Sequence, residues 1–215
     1  MSGPIRGIDA SLFQNVIDWA AVKESGLVQF AYARATDGAS FCDPEFSRNH
    51  DTARERNLPF GAYHFWRFDD DPAAQARNFL ARTHDAGRFG TLLPMADVEE
   101  ESFQYVVPPV LDAIARLARF IFIVEGALRA PASTAEPKML LYTNYDTWQR
   151  FFTNTAAFRT QPLWLAQTEN PADGLYGGWT TYAIWQDGTT TVPGIAGPVD
   201  YDTLAPGMDL QRLAR

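Results

Sequence analysis

Short apolar runs of strand length alternate along this chain with stretches whose apolar residues recur every three to four positions, the pattern of successive βαβ units. Residues 5–9 predict a first strand, and residues 17–25 a helix with Asp18 as cap and Gly26 as stop. Residues 27–35 predict the next strand. Asp43-Pro44 supplies a cap and a first-turn proline for a helix to residue 57, and Pro59 leads into a strand over 60–66. Asp71-Pro72 repeats the start signal for a helix over 72–86 that Gly87 ends, and residues 91–99 follow as a fourth strand. Pro108-Pro109 opens a long helix. Within its apolar run, Arg116, Arg119 and Glu125 recur at helical spacing, as on a buried amphipathic helix. Residues 138–143 and 162–166 predict two further strands around a helix over 145–152. Residues 182–186 and 197–200 predict the last two strands, joined by Gly/Pro/Thr-rich connections rather than helices.

This order predicts one catalytic domain over residues 1–215, of α/β class: an irregular TIM-like (β/α) barrel of about eight strands and five helices. An open doubly wound sheet would need a glycine-rich turn after the first strand. That turn reads Asp9-Ala10-Ser11-Leu12-Phe13. Residues 130–137, rich in proline, read as a surface loop.

Composition removes several function classes. Eighteen basic against 26 acidic residues leave a formal charge of -8, so nothing here grips a phosphate backbone, and no nucleic acid partner is expected. The single cysteine, Cys42, permits no internal disulfide. Three histidines without metal-ligand spacing predict no metal site, although Asp9, Asp97 and Glu99 could meet a hard cation incidentally. No apolar run reaches membrane-spanning length and the first residues lack the basic-then-apolar order of a signal peptide. The expectation is therefore no membrane span, with the route of export left open.

In parallel barrels chemistry gathers at the C-terminal ends of the strands. Those ends carry Asp9, Arg34 with Thr36, Tyr63 with His64, Asp97 with Glu99, Gln186 and Asp200. Asp97 and Glu99, two residues apart on an extended strand, leave the same face with Cα atoms roughly 6–7 Å apart. Like charges at that range push one carboxyl toward protonation near neutral pH, which suits a general acid beside a second carboxylate in glycosidic cleavage. Such a pair also occurs as a loop cap or salt bridge, here near Glu100 and Glu101. Alternation sends His64 toward the helices if Tyr63 faces the mouth, and Arg34 is expected to pair with Asp9 or Asp200.

Taken in order, Gly7-Ile8-Asp9-Ala10-Ser11-Leu12-Phe13-Gln14, Ala33-Arg34-Ala35-Thr36-Asp37-Gly38, Gly61-Ala62-Tyr63-His64-Phe65, Asp97-Val98-Glu99, Ile184-Trp185-Gln186 and Val199-Asp200-Tyr201-Asp202 resemble glycoside hydrolase family 25, the Chalaropsis-type lysozymes. The resemblance implies an N-acetylmuramidase that cuts the β-1,4 bond after N-acetylmuramic acid in peptidoglycan, on an irregular barrel, with no cofactor. It makes Glu99 the general acid and Asp97 the neighbour that orients the substrate N-acetyl group, with Asp9 and Asp200 completing an acidic pocket. Tyr63 would lie beside the reacting sugar and Trp185 with Gln186 in the groove. Arg34 and Tyr142 complete the expected substrate-binding set. Two courses stay open: retention assisted by the substrate's own N-acetyl group, or inversion with Asp97 as base.

Departures from the family pattern are Phe13 for tryptophan or tyrosine, Asp37 for glutamate, Ala96 for leucine, and Asp187 for an aromatic. They bear on sugar stacking more than on chemistry. Rival readings are a chitinase-like hydrolase, whose D-x-D-x-E would need an acid at Met95, a silent peptidoglycan-binding protein, and a wall amidase or peptidase. Cys42 has no obvious histidine partner for the last. The expected partner is the peptidoglycan glycan strand, met by a monomer that acts on the bacterial cell wall as a lysin, a secreted effector or an enzyme exported by another route.

Overall fold

The computed structural model describes residues 3–104, 106–129, 138–167 and 174–214. Eight strands close on themselves: β1 (Arg6–Ala10), β2 (Phe30–Asp37), β4 (Phe60–Phe65), β5 (Met95–Asp97), β6 (Leu140–Thr143), β7 (Leu163–Ala166), β8 (Ile184–Thr191) and β9 (Pro198–Leu204). Closure comes from β1, which pairs in parallel with β2 and antiparallel with β9. A two-residue strand, β3 (Phe41–Cys42), folds back on the end of β2 and carries Cys42.

Five helices, α1 (Trp19–Glu24), α2 (Phe46–Glu55), α3 (Pro72–Arg82), α4 (Val110–Leu128) and α5 (Tyr145–Phe152), follow the early strands. Asp18, Asp71 and Asn144 cap α1, α3 and α5 through backbone N–H groups one to two positions into each helix. The expected cap of α2 is different. Glu45 precedes that helix without a side-chain cap, and Asp43 turns inward instead.

β9 is antiparallel to both of its neighbours, which the sequence reading did not anticipate. The connection after β8 is too short for a parallel crossover, which needs a dozen or more residues, so the chain can only turn back as a hairpin. Both hairpin strands run longer than expected because Gly- and Thr-rich segments such as Thr189 and Thr190, paired with Asp200 and Val199, carry no apolar alternation.

Strand alternation builds two cores. Phe30, Tyr32, Met95, Leu140, Trp164, Ile184 and Leu204 fill the barrel lumen. Ile8, Ala31, Ala33, Ala62, Ala96 and Leu141 point outward and, being mostly small, let Val22, Ala53, Phe79, Leu117 and Phe120 of the helices approach closely. His64 belongs to this outer layer, as expected: its ring bonds Thr36 Oγ1 at 2.7 Å and Gln75 Oε1 at 3.1 Å and stacks on Phe120. Burial drives its pKa down to about 4, so it is a neutral packing residue.

Candidate active site

Two residues further along the parallel strands, and two residues earlier on β9, the lumen changes character. Asp9, Arg34, Asp97, Tyr142, Gln186 and Asp200 stand above Gly7, Tyr32, Met95, Leu140, Ile184 and Asp202 or its neighbours, and they line one cavity of about 200 Å³ with Tyr63, Phe65, Phe13 and Glu99. All four predicted carboxylates therefore meet. β5 stops at Asp97, short of its expected end, yet Glu99 stays extended at φ -134° and ψ -176°, which returns its side chain to the side of Asp97. Ser102 fixes that backbone by accepting the Glu99 N–H at 3.1 Å. Asp200 reaches the mouth only because β9 runs antiparallel, which sets its early residues, rather than its last ones, at the rim opposite Asp9.

A larger hollow of about 400 Å³, lined by His50, Arg54, Phe60 and His84, lies where β4 begins, at the opposite end of the barrel. It gathers no carboxylates. Among the described residues no group of histidine, cysteine or acidic side chains is arranged to hold a metal ion.

Within the mouth, Tyr142 Oη donates to Gln186 Oε1 at 2.8 Å, and Gln186 Nε2 donates to Asp9 Oδ2 at 2.8 Å. This relay fixes the Gln186 amide, because only its NH₂ can serve the carboxylate. Burial raises every acid here. Asp9 rises to about 8, first through burial, then through Asp200, with the Gln186 bond acting the other way. Glu99 rises to about 7 through burial and Glu101, opposed by Arg67. Asp97, deeper still, is pushed well above the usual carboxylate range by burial, then by Glu99 and Asp9, so the repulsion within the pair falls on Asp97. Its Oδ1 is buried without a hydrogen-bond partner among the described residues. Asp200, less enclosed, is raised by burial alone. Asp9, at about 8, holds its proton at neutral pH, and Glu99, at about 7, is poised to give one up.

Several expectations change. Arg34 does line the cavity, but its ion pair is with Asp43, Nε to Oδ2 at 3.2 Å, and not with Asp9 or Asp200. Asp43 is fully buried and also accepts the Leu12 N–H at 2.9 Å, tying the loop after β1 to Arg34. Trp185 does not line the cavity. It alternates with Gln186, faces the outer layer, and donates through Nε1 to the Gln167 carbonyl at 2.7 Å. Asp187 is occupied by Arg6 at 2.9 Å and Thr203, outside the mouth, and Asp37 forms a two-bond pair with Arg67 at 2.6 and 2.7 Å. Phe13, 72% exposed, remains an aromatic wall of the cavity. The Arg34 guanidinium carbon lies 5.3 Å from its ring centre and 5.6 Å from that of Phe41.

Sequence reasoning missed Asp43, Phe41 and Asp202. Asp43 before Pro44 carries the signature of a helix cap, which hid it, and Phe41 lies in the two-residue strand β3, too short to show a periodicity. Asp202 had a signal in its alternation with Asp200. It is fully buried, accepts from Trp164 Nε1 at 3.2 Å, leaves Oδ2 unpartnered among the described residues, and has its pKa pushed well above the usual carboxylate range by burial, then by Asp9 and Asp200.

The chain's relatives agree with this geometry. The model of Glycosyl hydrolases family 25 matches residues 8–195. An N,O-diacetylmuramidase of Arthroderma benhamiae is 31% identical over 217 aligned positions, covering 100% of this chain and 88% of that protein. The lysozyme of Streptomyces coelicolor superposes with a TM-score of 0.81 at 25% identity, over 99% of this chain and 96% of that one. A family GH25 lysozyme from Aspergillus fumigatus gives 0.80 at 27% identity, over 99% of each chain. With the motifs, the closed barrel and the family model in agreement over nearly the whole chain, the protein belongs to Glycosyl hydrolases family 25.

Proposed function

We propose that this protein is a muramidase, hydrolysing the β-1,4 bond between N-acetylmuramic acid and N-acetylglucosamine in bacterial peptidoglycan, with Glu99, Asp97, Asp9 and Asp200 as its catalytic carboxylates. The observation that carries the reading is the meeting of those four groups in one cavity with Glu99 raised to about 7. A carboxyl of that pKa keeps its proton on about half of the molecules at pH 7 and can release it to a developing alkoxide.

In this reading Glu99 protonates the glycosidic oxygen as its bond to the anomeric carbon breaks. The sugar's own acetamido oxygen closes on that carbon. Asp97, whose buried Oδ1 has no partner among the described residues, accepts the acetamido N–H and in its ionised form balances the positive charge that develops there. Water then opens the ring intermediate and returns a proton to Glu99. Retention is favoured over inversion because Asp97 is only 8% exposed, which leaves little room for a water that it could activate as a base. Tyr63, Tyr142, Gln186 and Arg34 would bind the sugars, with Phe13 as a stacking wall. The site of action is the bacterial cell wall.

Muropeptide analysis tests the activity: wild type should release products ending in reducing muramic acid, and Glu99→Gln should release almost none. Proton NMR of the first-formed anomer tests the course. An inverted product would assign Asp97 as base instead.

A further inference from the structure

Helix α4 buries Ala113, Leu117, Phe120, Ile121 and Val124 against the barrel. Its opposite side carries a second apolar stripe. Leu111, Ala115, Ala118 and Phe122 are spaced by four, three and four residues, which at 100° per residue confines them to an arc of about 60°. Leu111 is 79% exposed and Phe122 77%, the highest values among the large apolar side chains, and the two alanines between them are exposed as well. An aligned apolar stripe on a water-facing helix marks an interaction surface, whereas scattered single residues do not.

We propose that this stripe is the interface of a symmetric homodimer, in which α4 packs antiparallel on α4 of a second copy. A two-fold interface must be self-complementary, each residue meeting a partner equidistant from the axis. The stripe has that symmetry. Leu111 with Phe122, and Ala115 with Ala118, are both centred on one point midway between residues 116 and 117. Placing the dyad there sets Leu111 against the second copy's Phe122 at each end and alanine on alanine in the middle. Small central residues permit the close axial approach of about 8 Å that helix pairs reach.

Charge supports the same register. Asp112 and Arg119 lie on one flank of the stripe, both exposed, and neither makes a side-chain hydrogen bond or ion pair among the described residues. In the antiparallel arrangement like flanks face each other. Each Asp112 then lies about two residues, roughly 3 Å along the axis, from the second copy's Arg119. The neighbouring charges are already occupied: Arg116 donates to the Phe68 and Asp70 carbonyls, and Glu125 accepts the Met139 N–H. A foreign partner would give no reason for large residues equidistant from a small-residue centre with opposite charges beside it. The dimer replaces the monomer expected from the sequence. No stripe residue lines the catalytic cavity, so it stands independently of the proposed activity.

Sedimentation velocity of the full chain from about 1 to about 500 µM tests it. The expected result is a concentration-dependent shift toward twice the monomer mass, abolished by Phe122→Ser and by Leu111→Ser with lytic activity per chain unchanged. Arg119→Asp should weaken association by a factor of about 2–30, the range of the two exposed ion pairs that a symmetric dimer holds, and Asp112→Arg in the same chain should restore it. In a Cys42→Ser background, Ala115→Cys mixed with Ala118→Cys should form a disulfide between chains. A chain that stays monomeric throughout overturns the proposal, as does association insensitive to Phe122→Ser or growing beyond a dimer. Failure of the charge reversal to restore binding overturns the antiparallel register.

Discussion

The floor and the mouth of the barrel lumen lie two residues apart on the same strands and are built to opposite ends. In the floor, Tyr32, Met95, Leu140, Trp164 and Ile184 are nearly inaccessible and pack in one cluster, Tyr32 meeting Trp164 edge-on at 4.8 Å. One step up, the corresponding positions hold Arg34, Asp97, Tyr142 and Gln186, with Asp9, Glu99 and Asp200 converging on them. The floor gains stability from burial. The mouth loses some, since several carboxyls that cannot all ionise are held together where water is scarce. The scaffold thus places strain where chemistry needs it and recovers the cost two residues below.

The largest effect should come from the mouth. Glu99→Gln should lower wall lysis by about 10²–10⁴-fold while leaving the melting temperature nearly unchanged, measured by turbidity loss and circular dichroism. A floor variant should do the reverse: Trp164→Ala is expected to cost about 3–5 kcal/mol by chemical denaturation while folded protein keeps its lytic rate. Equal effects on both measurements would erase the distinction.

Smaller effects concern protonation. Asp9 and Glu99, at about 8 and about 7, keep in the folded state protons that the unfolded chain releases near pH 4. Folding stability should therefore decline as pH rises from about 4 to about 8, and lysis should fall away above about pH 7 as Glu99 ionises. Stability rising over that range would show the mouth to be unstrained. Asp97→Asn should add about 0.5–2 kcal/mol of stability at pH 8 while lowering activity. Least of all, Phe13→Ala should raise KM a few-fold with kcat nearly intact, if its ring is only a wall for the sugar.

Much of this was legible beforehand, for identifiable reasons. The helices were readable because aspartate and proline mark their starts and their apolar faces recur. The last hairpin was underestimated because its Gly/Thr-rich strands leave no alternation to read. At the site, Asp97 and Glu99 were readable because their spacing survives the early end of β5. Arg34 and Trp185 were assigned less well. An arginine's choice among several nearby acids depends on distances, and the facing of Trp185 follows from that of Gln186, which only closure of the sheet decides.

The sequence by itself determined the alternation of strands and helices, the family through its ordered motifs, and the identity of the acids. Local periodicity and residue chemistry are sufficient for those. Tertiary structure decided that β9 runs antiparallel and so brings Asp200 to Asp9, that Asp43 rather than Asp9 or Asp200 holds Arg34, and that Asp202 lies buried beneath the mouth. Each depends on contacts between residues far apart in the chain, where burial and charge act through space and leave no mark on the local pattern.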